Sequence, residues 1–207
     1  AEGMDGATGP GAALFSARDG KVLFRLNEGQ DAGRGVAEDI WDGNRGAEIW
    51  FSGSNGLLNT KGERIGDAPR SVNFLIWWDG QLTRQLLDGN RIERYGEGVI
   101  FTAEDCQSNN GSKSTPALSA DIWGDWREEL ILRTRDNKEL RIFTTTIPTE
   151  YRMYTLMHDP VYRNGVAWEN VGYNQPPHLG FWLGAGVDKA PRPNIVLTGA
   201  KAGKNKR

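Results

Sequence analysis

The sequence predicts an all-β chain made of repeated strand units, a partial β-propeller of about four to five blades. Three observations carry this expectation. Gly is abundant, at 27 of 207 residues, and supplies the reversals that short strands need. Helical periodicity is scarce, while Asp-Gly and Asn-Gly pairs recur between β-rich runs. One stretch also occurs twice, as "AEDIWDGNRGAEIWF" from Ala37 and as "SADIWGDWREELIL" from Ser119.

The strand signals run in order. "AALFSARDGKVLFRL" reads as strand, Asp19-Gly20 turn, strand. "AEIWFSGSNGLLNTKGERI" repeats that pattern, with turns at Asn55-Gly56 and Lys61-Gly62. "VNFLIWWDGQLTRQLLDGNRIERY" gives three strands, broken at Asp79-Gly80 and at Asp88-Gly89-Asn90. "EELILRTRDNKELRIFTTT" is a hairpin turning at Asp136-Asn137, and "EYRMYTLMHDPVY" is a further strand ended by Asp159-Pro160. "RNGVAWENVGY" holds no more than a turn, because Gly165 and Gly172 interrupt it. Asp39 and Asp121 open the two copies and stand 82 residues apart. Half of that is close to the repeat length of four-stranded propeller blades. The midpoint falls at Asp79-Gly80, inside a strand–turn–strand unit that lacks the full motif.

Composition excludes some classes of function. A net charge of −2 offers no basic field for nucleic acid. No apolar run is long enough to cross a bilayer. The start, "AEGMDGATGPGAALF", has no basic segment followed by an apolar core, so the chain is expected to be mature or truncated at its N-terminus. Cys106 is the lone cysteine and forms no internal disulfide. Residues 1–200 read as one unit, and Lys201 to Arg207 as a basic tail. Trp is frequent, at 8 residues, and offers flat faces for packing or for sugar rings.

The repeated turn is acidic. Asp39, Asp42, Asn44 and Glu48 supply oxygens in the first copy, and Asp121, Asp125 and Glu129 (or Glu128) in the second. Ca²⁺ takes six to eight oxygens from such loops. Equally, these side chains can cap turns by accepting backbone N–H bonds. Trp41 and Trp123 occupy matched positions and read as filling between blades.

"ADIWGDWREELILRT", "IPTEYRMYTLMHDPVYR" and "YNQPPHLGFWLG" together resemble the C-terminal part of the rhamnogalacturonan lyases of polysaccharide lyase family 11. "DAGRGVAEDI", "GLLNTKGERI", "NFLIWWDGQLTRQLLD" and "NNGSKSTPALSADI" fit the same pattern in the same order, so the resemblance covers roughly residues 10 to 195. It implies part of an eight-bladed propeller, calcium as cofactor, and rhamnogalacturonan I of pectin as the polymer bound. It further implies β-elimination as the reaction and an extracellular or cell-envelope location. A monomeric full-length enzyme, without nucleic-acid partner or membrane span, completes the expectation. Family members are much longer than this chain, which therefore resembles a C-terminal portion.

A polysaccharide lyase removes the C5 proton of a uronate and expels the sugar on O4. Charge builds on the carboxylate and must be neutralised. The resemblance carries three catalytic positions onto matching motifs: Arg34 in "DAGRG", Lys113 in "NNGSKSTP" and Tyr173 in "YNQPPH". Arg34 suits a carboxylate, Lys113 and Tyr173 suit proton transfer, and which is base and which acid stays open. Read without the family, Arg34 pairs with Asp31 or Glu38. His178, Asn174 and Trp182 are candidate substrate contacts, whereas His158 reads as a turn-bonded histidine. Core packing is the common fate of residues such as Trp168, Trp182 and Phe181. The competing reading is a truncated, non-catalytic calcium-binding propeller module that holds pectic polysaccharide.

Overall fold

The computed structural model describes residues 11–26, 32–171, 175–187 and 189–194. Strands dominate. A hairpin of β1 (Ala12–Phe15) and β2 (Val22–Leu26) comes first. The first four-stranded sheet holds β3 (Gly35–Glu38), β4 (Glu48–Phe51), β5 (Leu57–Leu58) and β6 (Arg64–Gly66). The second holds β7 (Phe74–Ile76), β8 (Gln85–Asp88), β9 (Arg91–Arg94) and β10 (Gly98–Thr102). In both, each strand pairs antiparallel with the next in sequence.

The third sheet is wired differently. Its centre is β13 (Glu129–Thr134), which pairs with β12 (Leu118–Ala120) and β14 (Leu140–Phe143). The short β11 (Cys106–Gln107) pairs with the far end of β13. β14 overlaps both partners along β13, so β11 and β12 share its opposite edge. Every turn expected up to Asp136-Asn137 falls between paired strands. The described residues thus contain three four-stranded sheets and one hairpin, against the four to five blades expected.

Period-2 alternation packs the sheets together. On β7, Phe74 and Ile76 join a buried cluster with Leu87, Ile92, Leu130 and Leu132, between the second and third sheets. Leu75 and Leu86 point the other way, to Ile40, Trp50 and Leu57 of the first sheet. The second sheet is therefore apolar on both faces, like a slice between two others. Two backbone bonds stitch the sheets in sequence. Arg84 N–H donates to the Asp39 carbonyl, and Glu128 N–H to the Trp77 carbonyl, each at 2.8 Å.

The strand expected from Glu150 and ended by Asp159-Pro160 does not form. That stretch is a loop, a single 3₁₀ turn at Leu156–His158, and then α1 (Pro160–Trp168). Asp159 caps α1, its carboxylate accepting from Tyr162 N at 3.1 Å, and Pro160 fills the first helical position, where a missing N–H costs nothing. The predicted interruption at Gly165 also fails to stop the helix. A Cβ there would stand 2.8 Å from Pro177 Cα, so Gly165 lets the returning chain lie directly on α1. No strand occurs among the described residues beyond Phe143. Pro148, Pro160, Pro176 and Pro177 each remove a donor that a sheet would need.

α1 and the return segment lie against the first strands of the sheets. Ser119 N–H donates to Glu169 at 2.8 Å, and Asp121 N–H to the Tyr162 hydroxyl at 3.0 Å. Ala185 N–H donates to Asp39 at 2.5 Å. A third apolar cluster, with Trp77, Trp126, Leu156, Tyr162 and Leu183, forms beneath them. The Gly165→Ala variant is expected to lose about 1–3 kcal/mol of stability through overpacking, although Ala is the better helix former. Urea unfolding of the two proteins checks this, and a gain in stability would refute the contact.

Candidate active site

Arg34 immediately precedes β3. Its guanidinium donates to the Asn73 side chain at 2.9 Å and to the Lys113 carbonyl at 3.5 Å. Asn73 immediately precedes β7, and Lys113 sits in the loop that leads to β12. The starts of β3 and β7 and the loop that leads to β12, one from each sheet, thus lie side by side and bring these residues together. The Lys113 loop is tightly tied. Asn110 accepts from Lys113 N–H at 2.9 Å and donates to Thr115 at 2.9 Å, while Asn109 N–H bonds the Thr115 carbonyl at 2.8 Å. Ser114 takes φ of 49°, a left-handed value that is uncommon for a residue with a side chain.

Tyr173 and Asn174 lie outside the described residues. The approach to them is nevertheless docked on the same loop. Asn170 donates to the carbonyls of Pro116 at 3.2 Å and Ala117 at 3.0 Å, and accepts from Asn109 at 2.9 Å. Tyr173 follows three residues later in the chain.

His178 and Trp182 belong to a different place. They line a cleft of about 360 Å³ with Ala37 and Glu38, at the opposite end of β3 from Arg34. His178 Nδ1 stands 3.2 Å from Glu38 Oε2. Glu38, offered above as an Arg34 partner, is instead 3.3 Å from Arg84. Burial pushes the Glu38 carboxyl up, but the His178 hydrogen bond and the Arg84 charge outweigh it and hold it below its ordinary range. Glu38 is therefore a carboxylate, and His178 Nδ1 donates to it.

Arg84 escaped the sequence reading. Its side chain is 0% exposed. It donates to the carbonyls of Pro177 at 3.0 Å and Leu75 at 2.8 Å, faces Glu128 at 3.3 Å, and lies 4.2 Å over the Trp77 ring. Glu128 in turn accepts from Tyr162 OH at 2.7 Å and from Trp77 N–H at 2.8 Å. The visible signal was a lone cation in the apolar run "LTRQLL".

The acidic turns use their oxygens on backbone donors. Glu48 accepts from Ile40 and Trp41 N–H at 2.8 and 3.1 Å, and Asn44 donates to its other oxygen at 2.6 Å. Glu129 accepts from Ile122 and Trp123 N–H at 3.0 and 2.9 Å, and Thr144 donates to its other oxygen at 3.1 Å. Asp121 accepts from Gly124 and Leu156 N–H at 2.8 and 2.7 Å. Asp125 pairs with Arg127, and Asp42 is exposed. The second sheet keeps the same device with a neutral residue: Gln85 accepts from Trp78 and Asp79 N–H at 2.8 and 3.0 Å. Glu48, Gln85 and Glu129 open β4, β8 and β13, each the strand that follows the capped turn. The midpoint unit has therefore kept the bond and lost only the charge.

With this geometry in place, comparison with known proteins identifies the family. Residues 2–193 match the family model described as Rhamnogalacturonan lyase family 11, C-terminal domain. This chain belongs to that family. It is 52% identical over 191 residues to the rhamnogalacturonan endolyase YesW of Bacillus subtilis (strain 168), covering 89% of this chain and 30% of the relative. It is 45% identical over 218 residues to the rhamnogalacturonan exolyase YesX of the same organism, covering 95% and 36%. The crystal structure of YesW superposes with a TM-score of 0.84 and that of YesX with 0.87, over 89% and 95% of this chain and 32% and 36% of theirs. A Bacillus licheniformis rhamnogalacturonan lyase gives 0.81 at 52% identity, over 86% of this chain and 31% of that one. The chain spans about a third of the length of the relatives it matches.

At the two turns most side-chain oxygens are engaged by N–H donors, while Asp39 Oδ1 has no partner among the described residues. Among the described residues, no three His, Cys, Asp or Glu side chains converge as metal ligands. A neutral Gln does the same work in the second sheet. Glu48, Gln85 and Glu129 thus act as turn caps. Two aromatic expectations also change. Trp123 is 62% exposed rather than packed between sheets, whereas its counterpart Trp41 packs against the apolar cluster between the first and second sheets. His158 stacks on Phe181 at 5.8 Å.

Two buried acids make the family member's stability depend on pH. Burial and the nearby Glu48 and Glu38 raise Asp39 from 3.8 to about 7, and its Oδ1 has no hydrogen-bond partner among the described residues. Burial, with Glu128 adding to it, raises Glu169 from 4.5 to about 9. The folded state holds these protons more tightly than the unfolded chain. Their contribution is complete below about pH 4 and is lost as pH rises, through about 7 for Asp39 and about 9 for Glu169. Melting temperature should fall across that window, and Asp39→Asn should flatten its lower half; a flat profile in the parent would refute this. Glu129→Gln is expected to melt close to the parent, whereas Glu129→Ala loses about 1–3 kcal/mol for the orphaned donors. Added Ca²⁺ should leave the melting temperature of both unchanged.

Proposed function

We propose that this chain is the C-terminal part of a polysaccharide lyase that cleaves the rhamnogalacturonan I backbone of pectin by β-elimination at galacturonate. The single observation that carries this is the meeting of Arg34 with the Lys113 loop, in a chain that belongs to family 11 over residues 2–193. The three sheets are read as consecutive blades of a propeller whose remaining blades lie in the rest of the enzyme. Face-to-face packing and the sequential backbone stitches support that reading.

The proposed division of labour follows from charge. Arg34 offers a planar fork that suits the uronate carboxylate, where negative charge accumulates once C5 is deprotonated. The bond to Asn73 fixes the guanidinium, so little reorganisation is needed as charge develops. Lys113 and Tyr173 supply the proton transfers, one at C5 and the other at the departing O4. Calcium that assists the whole enzyme is, on this reading, bound outside the two acidic turns. Secretion or an envelope location is proposed from the polymer's size, since pectin is met outside the cell.

The assay is the absorbance of the unsaturated uronate product on rhamnogalacturonan I. An enzyme of full family length containing this chain should cleave the polymer, and Arg34→Ala or Lys113→Ala should lower kcat by roughly a hundredfold or more with native folding retained. The isolated 207-residue chain should be weakly active or inactive. Full activity in both alanine variants would sink the assignment.

A further inference from the structure

We propose that Asp88 is a positioning residue for the lyase reaction: it fixes the side-chain amide of Asn73, which in turn holds the Arg34 guanidinium. This rests on the lyase reading above and reaches one layer further from the uronate carboxylate. The contacts run in a line. Arg34 donates to Asn73 Oδ1 at 2.9 Å, and Asn73 Nδ2 donates to Asp88 Oδ1 at 2.9 Å.

The register of the second sheet sets the outer contact. Phe74 pairs with Leu87, Leu75 with Leu86 and Ile76 with Gln85. One step beyond, Asn73 stands opposite Asp88, and directly opposed residues of an antiparallel pair share a face. Asp88 also pairs with Arg91 across the Gly89-Asn90 turn that joins β8 to β9, where Gly89 takes φ of 62°. Its place is therefore fixed by backbone, although the residue itself is exposed. The backbone of Arg34 is anchored too, since Ser52 N–H donates to its carbonyl at 2.9 Å. The long side chain must still be placed by bonds of its own.

The donor and acceptor chemistry explains why the outer residue matters. An amide offers an oxygen on one side and an NH₂ on the other, and the two ends are nearly the same shape. A guanidinium can only donate, and a carboxylate can only accept. Between them, Asn73 has one orientation that satisfies both: oxygen toward Arg34 and NH₂ toward Asp88. Without the Asp88 acceptor, the amide loses the bond that selects this orientation. Turned over, it would set NH₂ against the guanidinium N–H groups, donor against donor. Arg34 would then depend on its other contacts, which include the long bond to the Lys113 carbonyl at 3.5 Å. A group that stabilises developing charge acts through preorganisation, so lost orientation appears in kcat.

The test uses the enzyme of full family length containing this chain, with rhamnogalacturonan I as substrate. Asp88→Leu keeps a side chain of similar size and removes the acceptor. It should lower kcat roughly tenfold with KM little changed, the low end for a residue that orients another. Asp88→Asn, whose oxygen can still accept, should recover most of that loss. In an Asn73→Ala background, Asp88→Leu should have no further effect, because the amide to be oriented is gone. Circular dichroism confirms that each variant is folded. The relay is overturned if Asp88→Leu turns over as the parent does, if Asp88→Asn falls as far as Asp88→Leu, or if the two substitutions simply multiply. A second readout needs no catalysis. In the 207-residue chain, the ¹⁵N resonance of Arg34 Nε, assigned with Arg34→Lys, should move on Asp88→Leu. The same change made in Asn73→Ala should leave it in place. A silent full-length parent sinks the lyase reading, and this resonance then decides the relay alone. A parent that cleaves, with a resonance indifferent to Asp88, spares the lyase and sinks the relay.

Discussion

A single buried guanidinium ties the molecule together. Arg84 sits on the approach to β8 and touches something from every neighbouring element: Glu38 at the end of β3, the Leu75 carbonyl of β7, Glu128 before β13, and Pro177 of the return segment. Taking a charge out of water costs several kcal/mol per ion, so such a group persists only where its donors are met. Here carbonyls and carboxylates meet the two terminal nitrogens and the Trp77 face covers the plane, while Nε has no hydrogen-bond partner among the described residues. Two acids around one cation leave a negative excess, which the Tyr162 hydroxyl and His178 offset by donating to Glu128 and Glu38. Burial nonetheless raises the Glu128 carboxyl, with Arg84 pulling the other way. Because Pro177 is among the partners, the same cation fixes where the chain returns after α1, and with it the cleft that holds His178.

A second constraint repeats three times. A side-chain oxygen at the start of β4, β8 and β13, from Glu48, Gln85 and Glu129 in turn, accepts two consecutive N–H groups from the turn before it. Each tight turn leaves those donors pointing inward, away from water, and an unmet buried donor is expensive. This gives the recurring acidic residue there a structural role of its own. It also explains the doubled "DIW" stretch: the repeat records a backbone requirement.

Parts of the candidate site were legible in the sequence and parts were not. Arg34 and Lys113 could be named from their motifs, yet nothing in a 79-residue separation says that one reaches the other's carbonyl. That contact exists because successive sheets begin side by side. His178 and Trp182 were named as candidate substrate contacts, and they lie at the other end of β3 from Arg34. Arg84 and Tyr162 drew no notice, and Glu38 was named only as a partner for Arg34, since a lone charge or a tyrosine has no period and no motif. Only burial marks them. The stretch before α1 was misread because its apolar residues suit a strand as well as a loop packed on a core. Asp159 and Pro160, read as a stop, were in fact a helix start.

By itself the sequence determined the antiparallel strands, their turns and their grouping into repeated sheets. Those depend on local chemistry: Gly and Asn at reversals, alternation along each strand, and an acceptor at each tight turn. Tertiary structure alone decided which acids are caps and which groups share a site. It also decided where a charge could be buried. These outcomes depend on distances between residues far apart in the chain, and desolvation sets their energies only once the sheets have packed.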